Sequence, residues 1–134
     1  MSNFLEELAL ARVAGGVSVD LSAAPDTEVV LFTVPSGFAF IPVQVILHSW
    51  SADPTTAVVT LGKSGGACDE FLGDQTLTAI TAAFADQAAI LQPVPAATPV
   101  LGMFMDAGES FAIEITTAGA GTCKAEVLGI LITV

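Results

Sequence analysis

From Val17 onward the apolar residues fall into short runs separated by Gly, Pro, Asp and Ser, the pattern of strands and turns. The longest uninterrupted stretch covers residues 28–50. No charge occurs between Glu28 and Asp53, and Val, Ile, Leu and Phe dominate, the residues that suit a buried pleated surface. Pro35-Ser36-Gly37 divides the stretch in two. Pro35 pre-sets the first dihedral of a turn and Gly37 takes a positive φ without steric cost. The two halves are therefore expected to form a hairpin at the centre of the core. Pro42 suggests a bulge, a bend or an edge position within the long strand 38–51; simple alternation puts Phe38, Phe40, Pro42, Gln44, Ile46, His48 and Trp50 on one face. Ala39, Ile41, Val43, Val45, Leu47 and Ser49 fall on the other. Both faces are largely apolar. One serves the core; the second needs cover from residues 79–99 or from another subunit.

The other runs are shorter. Residues 17–21, 29–34, 56–62, 100–105, 109–117 and 122–134 read as strands, with 56–62 expected to pair back on 38–51. In 109–117, Phe111, Ile113 and Ile115 alternate with Ser110, Glu114 and Thr116. The middle is ambiguous: 68–72, 76–81 and 89–91 suit short strands, while 79–88 also suits a helical turn. About eight strands without long helices give an all-β fold, an antiparallel β-sandwich or barrel, and exclude βαβ architectures. Residues 1–15 stand apart. Asn3 and Glu6 make a weak capping box, and Phe4, Leu5, Leu8 and Ala11 recur at helical spacing before Gly15-Gly16. A short helix or arm over 1–15 and a β-domain over 16–134 are expected. So short a helix needs a packing partner.

Composition sharpens this in one direction. Of 134 residues, 53% are hydrophobic and only 13% charged, so one core cannot absorb all the apolar surface and a homo-oligomer is expected. The net charge is −11, with Arg12, Lys63 and Lys124 the only fixed cations. Nucleic acid and acidic membranes both require clustered Lys or Arg, so neither is an expected partner. The start of the chain has no basic n-region of a signal peptide. Pro93, Pro95 and Pro99 interrupt the uncharged run 87–105 and rule it out as a spanning helix. Synthesis in a cytoplasm is expected.

Candidate chemistry is sparse. There is no Tyr and one His. His48 and Trp50, two residues apart, suggest either a ring-lined site or a rim position where each ring nitrogen finds a partner. No Gly-x-Ser-x-Gly elbow supports a hydrolase, and one His cannot build a multi-His metal centre. Asp69, Glu70 and Asp74 are the densest acidic group but match no calcium loop. Lys63-Ser-Gly-Gly66 is in the wrong order for a phosphate loop. Cys68 and Cys123 lack Cys-x-x-Cys spacing and read as buried free thiols, with a mutual disulfide as the alternative. No catalytic residue, cofactor or metal is expected.

The run Val30-Leu-Phe-Thr-Val-Pro-Ser-Gly-Phe-Ala-Phe-Ile-Pro-Val-Gln-Val-Ile-Leu, with Ala57-Val-Val-Thr-Leu-Gly62 and the Gly-containing apolar end 127–132, resembles small structural proteins of tailed bacteriophages. That resemblance implies a jelly-roll capsid decoration (cement) protein on the virion surface, commonly a trimer, bound to the major capsid protein. Phe4, Leu5, Leu8, Phe38, Phe40, Ile46, His48 and Trp50 are the expected interface residues. The alternative is a ligand- or carbohydrate-binding β-sandwich module of a phage fibre or tail, which needs an exposed aromatic platform.

Overall fold

A computed structural model describes residues 11–93 and 103–134. The chain is all-β: β1 (Ala11–Asp20), β2 (Thr27–Thr33), β3 (Phe38–His48), β4 (Val58–Lys63), β5 (Leu72–Thr76), β6 (Ala89–Leu91), β7 (Ser110–Thr117) and β8 (Thr122–Thr133). A 3-10 turn, Phe84–Asp86, precedes β6. Sheet A has the order β1-β8-β3-β6 and sheet B the order β2-β7-β4-β5. All pairings are antiparallel. The pairs β1–β8, β2–β7, β3–β6 and β4–β5 nest like one long hairpin, rolled so that successive pairs fall in opposite sheets. That is the order of a jelly-roll sandwich.

This arrangement overturns two expected pairings. β2 and β3 lie in different sheets, so Pro35–Gly37 carries the chain across the sandwich and closes no hairpin. Gly37 does take a positive φ, 84°. β4 likewise pairs with β5 and β7, not with β3. Sequence-adjacent apolar strands here bury against each other face to face, through side chains rather than backbone bonds.

The expected helix over 1–15 is also corrected where it can be seen. Ala11–Gly15 belong to β1, paired to β8. Gly15-Gly16 does not end a helix. It forms a β-bulge, with register shifts before and after Ala14 and Gly16 at φ 64°. Phe4, Leu5 and Leu8 lie outside the described residues, as does the first half of the expected strand 100–105. Met105 of that strand makes one antiparallel bridge to Phe40. In the middle, one strand, β5, replaces the two short ones expected on either side of it. Cys68 sits in a left-handed turn at φ 54°.

The core lies between the sheets. Sheet A supplies Val19, Phe40, Val45, Leu47, Cys123, Ala125 and Val127; sheet B supplies Val59, Leu61, Phe111, Ile113 and Ile115, all at most 1% exposed. Phe40 sits at its middle, edge-on to Phe32 at 5.0 Å and to Phe111 at 6.5 Å between ring centroids. Gly129 makes room for it, because a Cβ there would collide with the Phe40 ring and the Ile41 carbonyl.

Candidate interaction surface

One residue decides what β3 shows to solvent. Its pairing with β8 slips between Pro42 and Gln44, leaving Val43 as an extra residue. A bulge of this kind inverts the alternation beyond it. Before Val43 the even residues Phe40 and Pro42 face inward; after it the odd residues Val45 and Leu47 do, and all four are buried. The outer side of sheet A therefore collects Ile41 first and Gln44, Ile46 and His48 next. β8 runs without a shift opposite them and adds Leu128, Ile130 and Ile132. β6 adds Ile90, opposite Ile46 and 62% exposed. Phe104, between buried Met103 and Met105 and bridged beside Phe40, points to the same side and is 55% exposed.

At one end this aliphatic face carries a small polar group. Glu126 accepts hydrogen bonds from the Gly16 N–H and from Arg12 Nη1 at 3.3 Å, and His48 Nε2 lies 3.5 Å from the same carboxylate. The Gly16 N–H, then Arg12 and His48, hold the Glu126 carboxyl below its ordinary value. His48 Nδ1 is 2.8 Å from Ser49 Oγ. Lys124, opposite His48, completes the group. Of three fixed cations, two thus lie on this face.

The expected interface residues divide accordingly. Ile46 and His48 are on the outer face, half-buried by their neighbours. Phe38 is half-buried and packs on the core margin. Phe40 is fully buried and is a core residue. Trp50 is 5% exposed and is also core, with its Nε1–H donating to the Gln87 carbonyl at 3.0 Å. Ser49 adopts φ 55°, a turn that parts Trp50 from His48 and dissolves the suggested ring pair. Ile41, Leu128, Ile130, Ile90 and Phe104 were not singled out from the sequence. The two-sided apolar pattern of 128–132 was the signal that could have found some of them.

The outer side of sheet B differs in every respect. Glu28 and Glu114 stand opposite each other, with Thr60 on the far side of Glu114. The β4–β5 connection folds back over this face. Glu28 accepts from the Gly65 N–H at 3.1 Å and Glu70 from the Lys63 N–H at 3.0 Å. Gly62 and Ala112 are buried beneath it, and a Cβ on Gly62 would collide with Glu70 and the Cys68–Asp69 backbone. Lys63 Nζ bonds Glu109 Oε2 at 2.7 Å, which raises the lysine and lowers the carboxyl. Partial burial, then Asp26, Glu28 and Asp69, raises Glu114. The Thr60 hydroxyl is buried without a partner.

Neither thiol is poised for chemistry. Cys68, in the β4–β5 connection with its thiol turned toward the Ala112 carbonyl, and Cys123, on the core side of sheet A, are free, and burial pushes each up to about 12. Among the described residues no group of three or more His, Cys, Asp and Glu is placed to hold a metal ion. An open groove of about 280 Å³ runs along the β5–β6 side, lined by uncharged residues including Leu77, Ile80, Ile90 and Leu91. No helix among the described residues is long and apolar enough to cross a membrane. The surface offers contact area and little reactivity.

Among the described residues, fold and surface together define a jelly-roll sandwich of eight strands with one aliphatic face left uncovered. The same fold occurs in a chain of the acidic stable capsid structure of Helicobacter pylori bacteriophage KHP30: the TM-score is 0.54 at 14% identity, over 94% of this chain and 97% of that one. No protein-family model and no curated protein matches the sequence.

Proposed function

We propose that the chain is a virion structural subunit, a capsid decoration (cement) protein that binds the outer capsid of a bacteriophage as an oligomer and stabilises it. The observation that carries this reading is the end-to-end likeness to a chain of a phage capsid structure, with nearly equal lengths implied by coverages of 94% and 97%. The role is mechanical. Each subunit bridging two capsomers adds buried interface that must be given up before they separate under internal pressure. No catalytic step is assigned. An acidic body with a net charge of −11 suits this place, because it has no affinity for the packaged nucleic acid.

The alternative, a carbohydrate-binding module, needs an exposed aromatic platform. The chain's one Trp is buried and there is no Tyr, which counts against it. The test is co-sedimentation of purified protein with capsids of the phage that encodes it, combined with thermal challenge of the particles. Saturable binding and a raised rupture temperature are expected. A protein that ignores capsids, or leaves rupture unchanged at full occupancy, would overturn the proposal.

A further inference from the structure

We propose that the outer face of sheet A is the surface on which this chain binds a second copy of itself. The inference names the partner in the oligomer of the proposed function, and rests on that reading only for its biological purpose. Three observations carry it.

The first is what the face is made of. Ile41, Ile46, Leu128 and Ile130 form its centre, with Ile90 and Phe104 more than half exposed at its β6 edge. Removing such a surface from water is favourable, and a soluble monomer seldom leaves one this continuous. Nothing among the described residues folds over it as the β4–β5 connection folds over sheet B.

The second is charge. Two copies each carrying −11 repel unless they meet where the charge is balanced. On sheet B, Glu28 faces Glu114, Lys63 sits at the strand end, and Asp26 and Asp69 raise the glutamate further. On sheet A the charged end holds Arg12 and Lys124 against Glu126, with His48 between. A copy approaching this face meets cations as well as a carboxylate, so its own Glu126 finds partners rather than repulsion.

The third is size. β1, β8 and β3 run for 10, 12 and 11 residues. With strands about 4.8 Å apart and about 3.3 Å per residue, the face spans about 500 Å² before side-chain relief is added. A specific interface buries about 800 Å² per partner. Two such faces stack as sheets do, about 10 Å apart with strands rotated by about 30°. The relief of the side chains and the β6 edge with Ile90 and Phe104 bring the face toward that size, whereas the β5–β6 groove falls well short of it.

The test uses the full chain in sedimentation velocity and light scattering over a wide concentration range. The wild type is expected above its monomer mass of 13.6 kDa. The double variant Ile90→Glu/Phe104→Glu changes exposed positions only, so folding survives, and association should weaken at least a hundredfold. Val30→Glu, on the outer face of sheet B, should leave association unchanged. A wild type that stays monomeric at all concentrations, or a double variant that assembles normally, overturns the proposal. Capsid co-sedimentation separates it from the functional reading. A monomeric double variant that still binds capsids weakly supports self-association on this face. A double variant that keeps its oligomer but loses capsids shows that the face meets the shell, which overturns this inference and leaves the decoration role standing.

Discussion

The two outer faces of this sandwich are each built from four antiparallel strands and finished in opposite ways. Sheet B is acidic and roofed by its own chain, with Glu28 and Glu70 holding the β4–β5 connection over Gly62 and Ala112. Sheet A is aliphatic and, among the described residues, uncovered, with its charges gathered at one end around Glu126. An acidic face needs no partner to remain soluble, and its roof uses backbone N–H groups to occupy carboxylates that would otherwise crowd one another. An aliphatic face without a roof is stable only at a cost in exposed apolar area. The contrast separates a surface covered by its own chain from one that, among the described residues, is left uncovered.

The largest expected effect tests whether Phe40 belongs to neither face. Its ring is fully buried between the sheets, so Phe40→Ala should cost about 3–5 kcal/mol in chemical denaturation. A loss below about 1 kcal/mol would return Phe40 to the surface and undo the bulge at Val43 as the divider of β3. Next comes the roof. Gly62→Val should cost about 2–3 kcal/mol and lift the connection, because its side chain takes the space of Glu70 and Cys68. The readout is thiol labelling: Cys68 should become reactive while Cys123 stays protected.

The smallest effects distinguish the faces by pH. Glu126 is held below its ordinary value, so its contribution to stability is present at neutral pH and lost as pH falls through that lowered value. Glu126→Gln should therefore destabilise at neutral pH, by under about 1 kcal/mol, and converge with the wild type in acid. Glu114 is raised above its ordinary 4.5 by burial and by Asp26, Glu28 and Asp69. Its ionisation works against the fold, so stability is gained as pH falls through the raised value. Glu114→Gln should stabilise slightly at neutral pH and lose that advantage in acid. Melting curves across the acid range check both signs, and equal behaviour of the two variants would erase the electrostatic difference between the faces.

Much of the fold was legible because strand period and turn residues are local. The alternation of Phe111, Ile113 and Ile115, and the ends of β7 and β8, follow from spacing alone. What was not legible depends on which strand meets which. Pro35–Gly37 has the residues of a tight turn, and the same residues serve a crossing between sheets, so the hairpin was the wrong reading. Pro42 marked a bulge, a bend or an edge position in this strand, and the bulge falls beside it at Val43, but a strand apolar on both sides gave no sign that the faces exchange there. Alternation carried straight through it, and the same count put Phe40 and Trp50 on one surface with Ile46. The second half of β1 was read as the strand 17–21, but its first half, from Ala11, was hidden by the helix-favouring Leu, Ala and Glu that precede it and by Gly15-Gly16, which reads as a stop; pairing with β8 overrides those signals.

The position of β8 has a consequence in time. It lies between β1 and β3, which precede it by about a hundred residues, and pairs with both along most of its length. Sheet A cannot close until residues 122–133 have been made and have threaded into place. Pairings so distant in sequence fold slowly, in milliseconds to seconds. Until then β3 waits with both of its apolar sides uncovered, and a growing chain at high concentration is exposed to misassembly with its neighbours. Refolding yield should therefore fall steeply as the protein concentration rises.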